Sequence, residues 1–338
     1  VLSQLQGKVF NDERDEEPGR IIHETDFEEK WHPRGVYPFP YYGAADTTPL
    51  FLILFALYLE KTKDKSFLEN HWENILMALH WMEDSGDKDK DFFIEYERRM
   101  QSGLYHQGWK DGHVNHLGID LPVAIVEVQG YQYLALKSIS SIAKAKKDEE
   151  LAEKLTERAK CVKQKFNKEF WMQDKQYFAL ALDGKKRQRT AITSNPGCCL
   201  FTGIVDEKRI KNIVERLFQD DMWTPFGVRT HSTKEPDFDA RGYQLGPVWP
   251  HDNWCIAQGL KKYGFQKEYE NIKAALLAAY KEIGHIPELY GVTLEGKIVE
   301  TKPKANYPQA WATGALFSFL GVALHERILK VPAKVFRW

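Results

Sequence analysis

Residues 106–116 read HQGWKDGHVNH, which places three histidines, a tryptophan, a lysine and an aspartate within eleven positions. Three chemistries fit such a set: metal ligation, a solvated loop, or a slot where a carboxylic acid meets a polar substrate beside an aromatic face. His106, His113 and His116 lack the i, i+4 spacing that sets two imidazoles on one helix face, and no cysteine lies near them in sequence. A site without metal or cofactor is therefore expected. Asp111 is the better candidate for chemistry, because the ring of Trp109 can exclude water and favour the neutral carboxyl that a general acid needs. Lys110 would oppose this if it pointed inward. Neighbouring side chains in a loop usually point apart, so Lys110 is expected to face away or to bond hydroxyls. A second carboxylate, Glu288, follows a proline that stiffens its approach and precedes Tyr290 and Gly291. The blander reading of Glu288 is a capping or surface carboxylate.

Five loops share a composition: YPFPYYGAADTTP (37–49), HQGWKDG (106–112), FGVRTHSTKEPDFDARGYQLGPVWPHDN (226–253), HIPELYG (285–291) and KANYPQAW (304–311). Each sets Trp or Tyr beside a carboxylate or an amide. Flat aromatic faces stack on sugar rings, and Asp, Gln, Asn and Arg bond the in-plane hydroxyls, so a carbohydrate site is expected.

The elements that must position these loops read as paired helices. The pairs are 50–61 with 67–82, 121–145 with 149–170, 196–204 with 207–218, and 249–263 with 267–282, followed by a last helix at 309–326. A threonine cap and Pro49 set the first start. Strand-like pieces are few, at 92–96, 177–182 and 292–299. The segments 121–136, 249–260 and 309–322 are apolar all round, while their partners carry one charged face. A helix apolar on every side is buried on every side, which predicts an inner ring wrapped by an outer one. Binding loops at the heads of such helices are held by a rigid scaffold. With no linker or low-complexity tract, residues 1–338 are expected to form one domain.

Composition agrees with a large core and argues against some partners. The chain has 338 residues, 43% of them hydrophobic, and 13% are aromatic, a share that suits either a big core or an apolar-walled groove. The 47 basic and 48 acidic residues leave a formal net charge of -1. Such a balance gives no field to attract nucleic acid or an acidic membrane. No apolar run reaches the roughly 18 residues that suggest a membrane span. Cys161, Cys198, Cys199 and Cys255 show no metal-like spacing, and with no signal peptide at Val1 reduced thiols and a cytoplasmic location are expected.

Long fragments of the sequence are similar to one family. RDEEPGRIIHE (14–24), YYGAADTTPLFL (41–52), QGWKDG (107–112), VEVQGYQY (126–133), GVRTHSTKEPDFDARGYQLGPVWPHDNW (227–254), IPELYG (286–291) and YPQAWATGA (307–315) resemble, in order, the amylo-alpha-1,6-glucosidase or glycogen-debranching family. Related inverting glycosidases share shorter versions. The resemblance implies an all-α fold, the (α/α)6 barrel, and cofactor-free hydrolysis of α-glucosidic bonds in glycogen-like or oligosaccharide substrates. It also implies an acid in the QGWKD segment, Asp111, and a base in the PEL segment, Glu288. Inversion requires such a pair roughly 6.5–9.5 Å apart.

Around that pair Gln107, Trp109, Lys110, Glu127, Trp249, Asp252, Tyr290, Gln309 and Trp311 are expected to bind substrate. Bland alternatives stay open for several: Trp249 as packing under its loop, Asp252 as a helix cap, and Glu127 as a buried carboxylate with a structural partner. Arg229 with Asp237 or Asp239 suits either sugar hydroxyls or a salt bridge. The run Arg14, Asp15, Glu16, Glu17 and His23 reads as a solvated charge cluster that the resemblance lifts toward the site.

Two departures from the family stand out. The segment 112–120 looks short, which touches specificity rather than Asp111. The family's upstream β-sandwich and opening helices have no counterpart, and the helix count falls about three short of twelve. An N-terminally truncated catalytic toroid is therefore expected, completed by an upstream domain or an oligomer partner. Alternatives are a glucoamylase- or trehalase-like glycosidase, a sugar epimerase using His251 and His285, or an inactive carbohydrate-binding remnant.

Overall fold

The computed structural model describes residues 1–26 and 38–321. Tyr37 of the first aromatic loop and positions 322–326 of the last expected helix lie outside them. The chain divides into two compact units, Val1–Leu217 and Phe218–Trp338.

Among its described residues the first unit holds six α-helices: α1 (Thr47–Thr62), α2 (Lys65–Glu83), α3 (Val126–Ala145), α4 (Glu149–Glu169), α5 (Asn195–Thr202) and α6 (Glu207–Leu217). Asp64 and Asp148 cap α2 and α4 by accepting the amides of Phe67 and Leu151. The threonine cap expected on α1 is not formed. Asp46 stands at the N-cap without a side-chain bond, while Thr47 Oγ1 donates to Ile21 O and Thr48 Oγ1 accepts from Ile21 N, each at 3.0 Å. Both hydroxyls thus tie the helix start to the N-terminal segment.

The centre of this unit is α3, which packs against α1, α4 and α5. It buries Val126, Val128, Tyr131, Ala135, Leu136, Ile139 and Ala143, and also Glu127, Gln129 and Gln132. Gly130 sets how closely α5 approaches, since a Cβ there would lie 3.1 Å from Thr202 Oγ1. On α4 only one stripe is buried, Ala152, Leu155, Ala159, Val162 and Phe166, which is the one-faced outer partner the periodicity predicts. α3 begins at Val126 rather than 121, because Ala124–Ile125 (β1) first pairs with the neighbouring strand.

Strands are two residues long. β2 (Trp171–Met172) pairs with β3 (Tyr177–Phe178), and β4 (Ala181–Leu182) lies between β1 and β5 (Gln188–Arg189). The expected strand at 92–96 is reduced to one bridge, Tyr96 with Val123. Its first three amides are taken by side chains, Phe92 N by Asp87, Phe93 N by Asp91 and Ile94 N by Gln129, and Glu95 N donates to Gly86 O.

The second unit holds the hairpin of β6 (Trp223–Thr224) and β7 (Gly227–Val228), then α7 (Pro250–Lys262) and α8 (Gln266–Ile283). The hairpin of β8 (Gly291–Val292) and β9 (Ile298–Val299) follows, and then α9 (Ala310–Leu320). α7 packs on α8 and α9. The all-round burial expected of the last helix is not found over 310–320. α9 buries Ala312, Ala315, Leu316 and Phe319, whereas Trp311, Phe317 and Leu320 are exposed, because among the described helices of the unit it packs against α7 and α8 on one side. Among the described residues no helix is long and apolar enough to cross a membrane, and no disulfide joins the four cysteines.

Candidate active site

In the first unit the chemistry-bearing segment is a closed turn. Tyr105 N and His106 N donate to Gly112 O at 2.7 and 3.1 Å, so residues 107–111 are presented on a loop pinned at both ends. His106, the first of the three histidines, is a buried post within this frame. Its Nδ1 meets Tyr96 Oη at 2.9 Å and its Nε2 meets Asn115 Oδ1 at 3.0 Å. Burial, helped by His116, lowers its pKa to about 3, which keeps the ring neutral.

Gln107 is fully buried and its amide is engaged within the protein. Oε1 accepts from Arg20 Nη2 at 2.7 Å, and Nε2 donates to Asp15 Oδ2 at 3.3 Å and to two backbone carbonyls. Asp15 also accepts from Tyr41 Oη and from the amides of Arg99 and Met100. The charge run at 14–17 is therefore not solvated. Glu17 binds Trp81 Nε1 at 2.7 Å and pairs with Arg99 and Arg20, and Glu16 pairs with Arg14. Sequence reading lifted these residues toward the site. The structure makes them the foundation under Gln107, and nothing in a linear charge run shows which carboxylates lie buried.

Trp109 is 8% exposed. Lys110 does not face away: it is fully buried, with Nζ 5.2 Å from the centre of the Trp109 ring. The tight turn folds its stem inward, which corrects the expectation that neighbouring side chains point apart. Asp111 keeps a third of its side chain accessible, and His23 Nε2 lies 3.7 Å from Oδ2. Burial holds the His23 imidazole below its usual range, with Glu24 opposing and Arg20 assisting, so at neutral pH this contact is not an ion pair.

Glu127, in the first turn of α3, is completely buried, and among the described residues neither carboxylate oxygen meets a donor in good hydrogen-bond geometry. Burial pushes its pKa up to about 7. Its own backbone amide, the nearby Asn195 side chain and the charge of Lys110 pull the other way, and Asp46 adds to the rise. Asp46 itself is pushed up to about 6 by burial, against its own and Thr47 amides, the Arg20 charge and the Trp109 amide. Sequence reading missed Asp46 because AADTTP looks like a helix start.

A folded-state pKa above the unfolded value means that stability is greatest at low pH and falls as pH rises from about 4.5 to 7. Glu127→Gln is therefore expected to raise the melting temperature at pH 8 and to leave it nearly unchanged at pH 4.5. The difference in stability is about 3 kcal/mol at most. Thermal denaturation at the two pH values measures it. An equal shift at both would mean that Glu127 is not neutralised on folding.

In the second unit the centre is Glu288, 4% exposed and surrounded by donors. Tyr243 Oη donates to Oε1 at 2.9 Å and Gln309 Nε2 at 3.4 Å, while Asn306 Nδ2 and N donate to Oε2 at 2.9 and 3.2 Å. The capping or surface role does not describe this carboxylate. Tyr243 and Asn306 stood inside loops that the sequence marked, DARGYQL and KANYPQAW, but their side-chain directions were not legible.

Trp249 is 1% exposed. Its Nε1 donates to Tyr243 O at 3.0 Å and its ring meets the Tyr243 ring edge-on at 5.0 Å, so it supports the tyrosine that holds Glu288. Trp311 is 39% exposed and stacks on His251 at 4.1 Å. Burial lowers the His251 pKa to about 3, so its ring is neutral at pH 7. Tyr290 is buried and its hydroxyl is spent on Phe226 O at 2.8 Å, and Asp252 is fully buried in the first turn of α7. Arg229 donates to Val292 O and Thr293 O and so ties its loop to the β8–β9 hairpin, while His231 takes Asp237 at 2.8 Å and Asp239 accepts Arg241 N within the loop itself.

A family profile described as the mannosylglycerate hydrolase MGH1-like glycoside hydrolase domain matches residues 20–291. The chain belongs to this family. It is 32% identical over 77 residues to mannosylglycerate hydrolase MGH1 of Selaginella moellendorffii, over 22% of this chain and 15% of the relative. It is 27% identical over 89 residues to the mannosylglycerate hydrolase of Rubrobacter radiotolerans, over 25% of this chain and 20% of the relative. The aligned stretches thus span a fifth or less of these relatives' lengths.

The GH63 mannosylglycerate hydrolase of Thermus thermophilus, solved with Tris and D-glycerate, superposes with a TM-score of 0.66. That match has 15% identity and covers 94% of this chain and 86% of that one. At that identity the likeness is one of fold, and the fold is the (α/α)6 class that the family resemblance implied. The family is thus a glycoside hydrolase one, but it is the MGH1-like family and not the amylo-alpha-1,6-glucosidase family.

Proposed function

We propose that this member of the MGH1-like family is an inverting glycoside hydrolase whose substrate is of the mannosylglycerate type, a hexose joined to a small hydroxy acid. Asp111 would protonate the leaving oxygen, and Glu288 would take the proton of the attacking water. The observation that carries the reading is the Glu288 cradle. Four donors occupy its lone pairs and fix its orientation, and the longest of these bonds, from Gln309 Nε2 at 3.4 Å, is the one an attacking water would replace. The accessible edge of Asp111 beside the buried Trp109 suits the acid.

Mannosylglycerate and glucosylglycerate are expected to be hydrolysed with a higher kcat/KM than isomaltose, panose, maltose, trehalose or branched dextrin. Proton NMR is expected to show the inverted anomer first. A preference for isomaltose or branched dextrin would restore the debranching reading. A first-formed anomer of retained configuration would remove the inverting mechanism. A product isomeric with the substrate, without added water, would make the protein an epimerase, and binding without release would make it a carbohydrate-binding remnant.

A further inference from the structure

Asp87, Asp89, Asp91 and Glu95 occupy positions one, three, five and nine of DKDKDFFIE (87–95). Cation-binding loops supply ligands from these positions around a sharp turn at the sixth residue. Here the sixth residue, Phe92, has φ +81° and its amide is held by both Asp87 oxygens. Acidic spacing alone would say little, but a cation is present among these carboxylates and it comes from elsewhere in the chain. Lys186, in the turn between β4 and β5, places Nζ 2.8 Å from Asp89 Oδ2, 2.8 Å from Asp91 Oδ2 and in contact with Glu95 Oε1. Three carboxylates therefore meet the three protons of one ammonium. Asp87 is met separately by Arg158 at 2.8 Å.

We propose that Lys186 is a tethered counter-cation that organises loop 87–95 in the place a divalent ion takes in other such loops, and that it thereby acts as a positioning residue for the acid turn. The coupling runs through residues 94–97. Ile94 is held at both N and O by the Gln129 side chain, Glu95 N donates to Gly86 O at 2.7 Å, and Tyr96 pairs with Val123. Tyr96 Oη then meets His106, and Glu97 O accepts from Gln107. A loop that loses its cation repels itself, and the displacement reaches the two residues that frame Trp109, Lys110 and Asp111.

The test replaces the ammonium and then supplies a cation from solution. Wild-type protein is expected to show the same melting temperature in calcium chloride as in EGTA. Lys186→Met is expected to melt lower in EGTA and to regain about 2–4 °C in calcium, with one calcium bound at a Kd of about 10⁻⁴–10⁻³ M by calorimetry. Adding Asp89→Asn to that variant is expected to abolish both effects. A merely structural lysine would not exchange its role with calcium.

A Lys186→Met protein indifferent to calcium would overturn the proposal, as would wild-type protein that binds calcium through Asp89. If the variant is insoluble, solubility regained only when calcium is present in growth and lysis media supports the proposal, and insolubility in both media counts against it. These readouts are binding and stability, so they stand or fall apart from the enzymatic reading.

Discussion

Asp111→Asn is expected to lower kcat on the natural substrate by about 10²–10⁴-fold or more while leaving KM within a few-fold, because the amide keeps the shape of the carboxyl and has no proton to give. The loss depends on how much the leaving group needs that proton. A 2,4-dinitrophenyl glycoside departs as a stable anion, so the same variant is expected to recover much of its rate on that substrate. The measurement is the ratio of kcat/KM, wild type to variant, for the natural and the activated substrate. An equal loss on both would show that Asp111 acts by position or charge, and full activity would remove it from the mechanism. Lys110, buried against Trp109, is the group to examine next in either case.

Glu288→Gln is expected to cost a factor of the same order, about 10²–10⁴ or more, with the opposite rescue pattern. An activated leaving group does not help a water that lacks a base. Azide, which attacks without losing a proton, is expected to restore turnover in Glu288→Ala and to yield a glycosyl azide of inverted configuration. The cradle adds a stability effect. Tyr243, Gln309 and both Asn306 groups all donate to Glu288, so a glutamine NH₂ must face at least one donor. Tyr243 can turn its hydroxyl and the Asn306 side chain can flip to accept, whereas the Asn306 backbone amide can only donate. A loss of about 1–3 kcal/mol in thermal unfolding is therefore expected for Glu288→Gln. A variant that keeps wild-type turnover would end the base assignment.

The helix pairs were legible in the sequence because a one-faced stripe and an all-round apolar run are properties of the chain at helical spacing. α4 shows such a stripe, with Ala152, Leu155, Ala159, Val162 and Phe166 buried. The boundaries of α3 and the strand at 92–96 were not legible. There Asp87, Asp91 and Gln129 compete for backbone amides that a strand would need, and a period carries no information on side-chain hydrogen bonds. Asp111 and Glu288 could be singled out because an acid beside tryptophan and a glutamate after proline are local features.

What the sequence by itself determined is the helical class of the fold, which rests on periodicity over a few residues. It also pointed to the aromatic loops by their composition, and to Asp111 and Glu288 as candidates by local neighbours and by the family resemblance. Only the tertiary structure decided which polar residues face outward and which are spent inside. Gln107, Tyr290 and Arg229 turned out to brace the scaffold, Asp15 and Glu17 to lie buried beneath the acid turn, and Tyr243 and Asn306 to hold the proposed base. The physical reason is that a buried polar group must find its partner wherever the fold brings one. Asp15 and Gln107 lie 92 residues apart and Lys186 and Glu95 lie 91 apart, distances over which sequence spacing says nothing about contact.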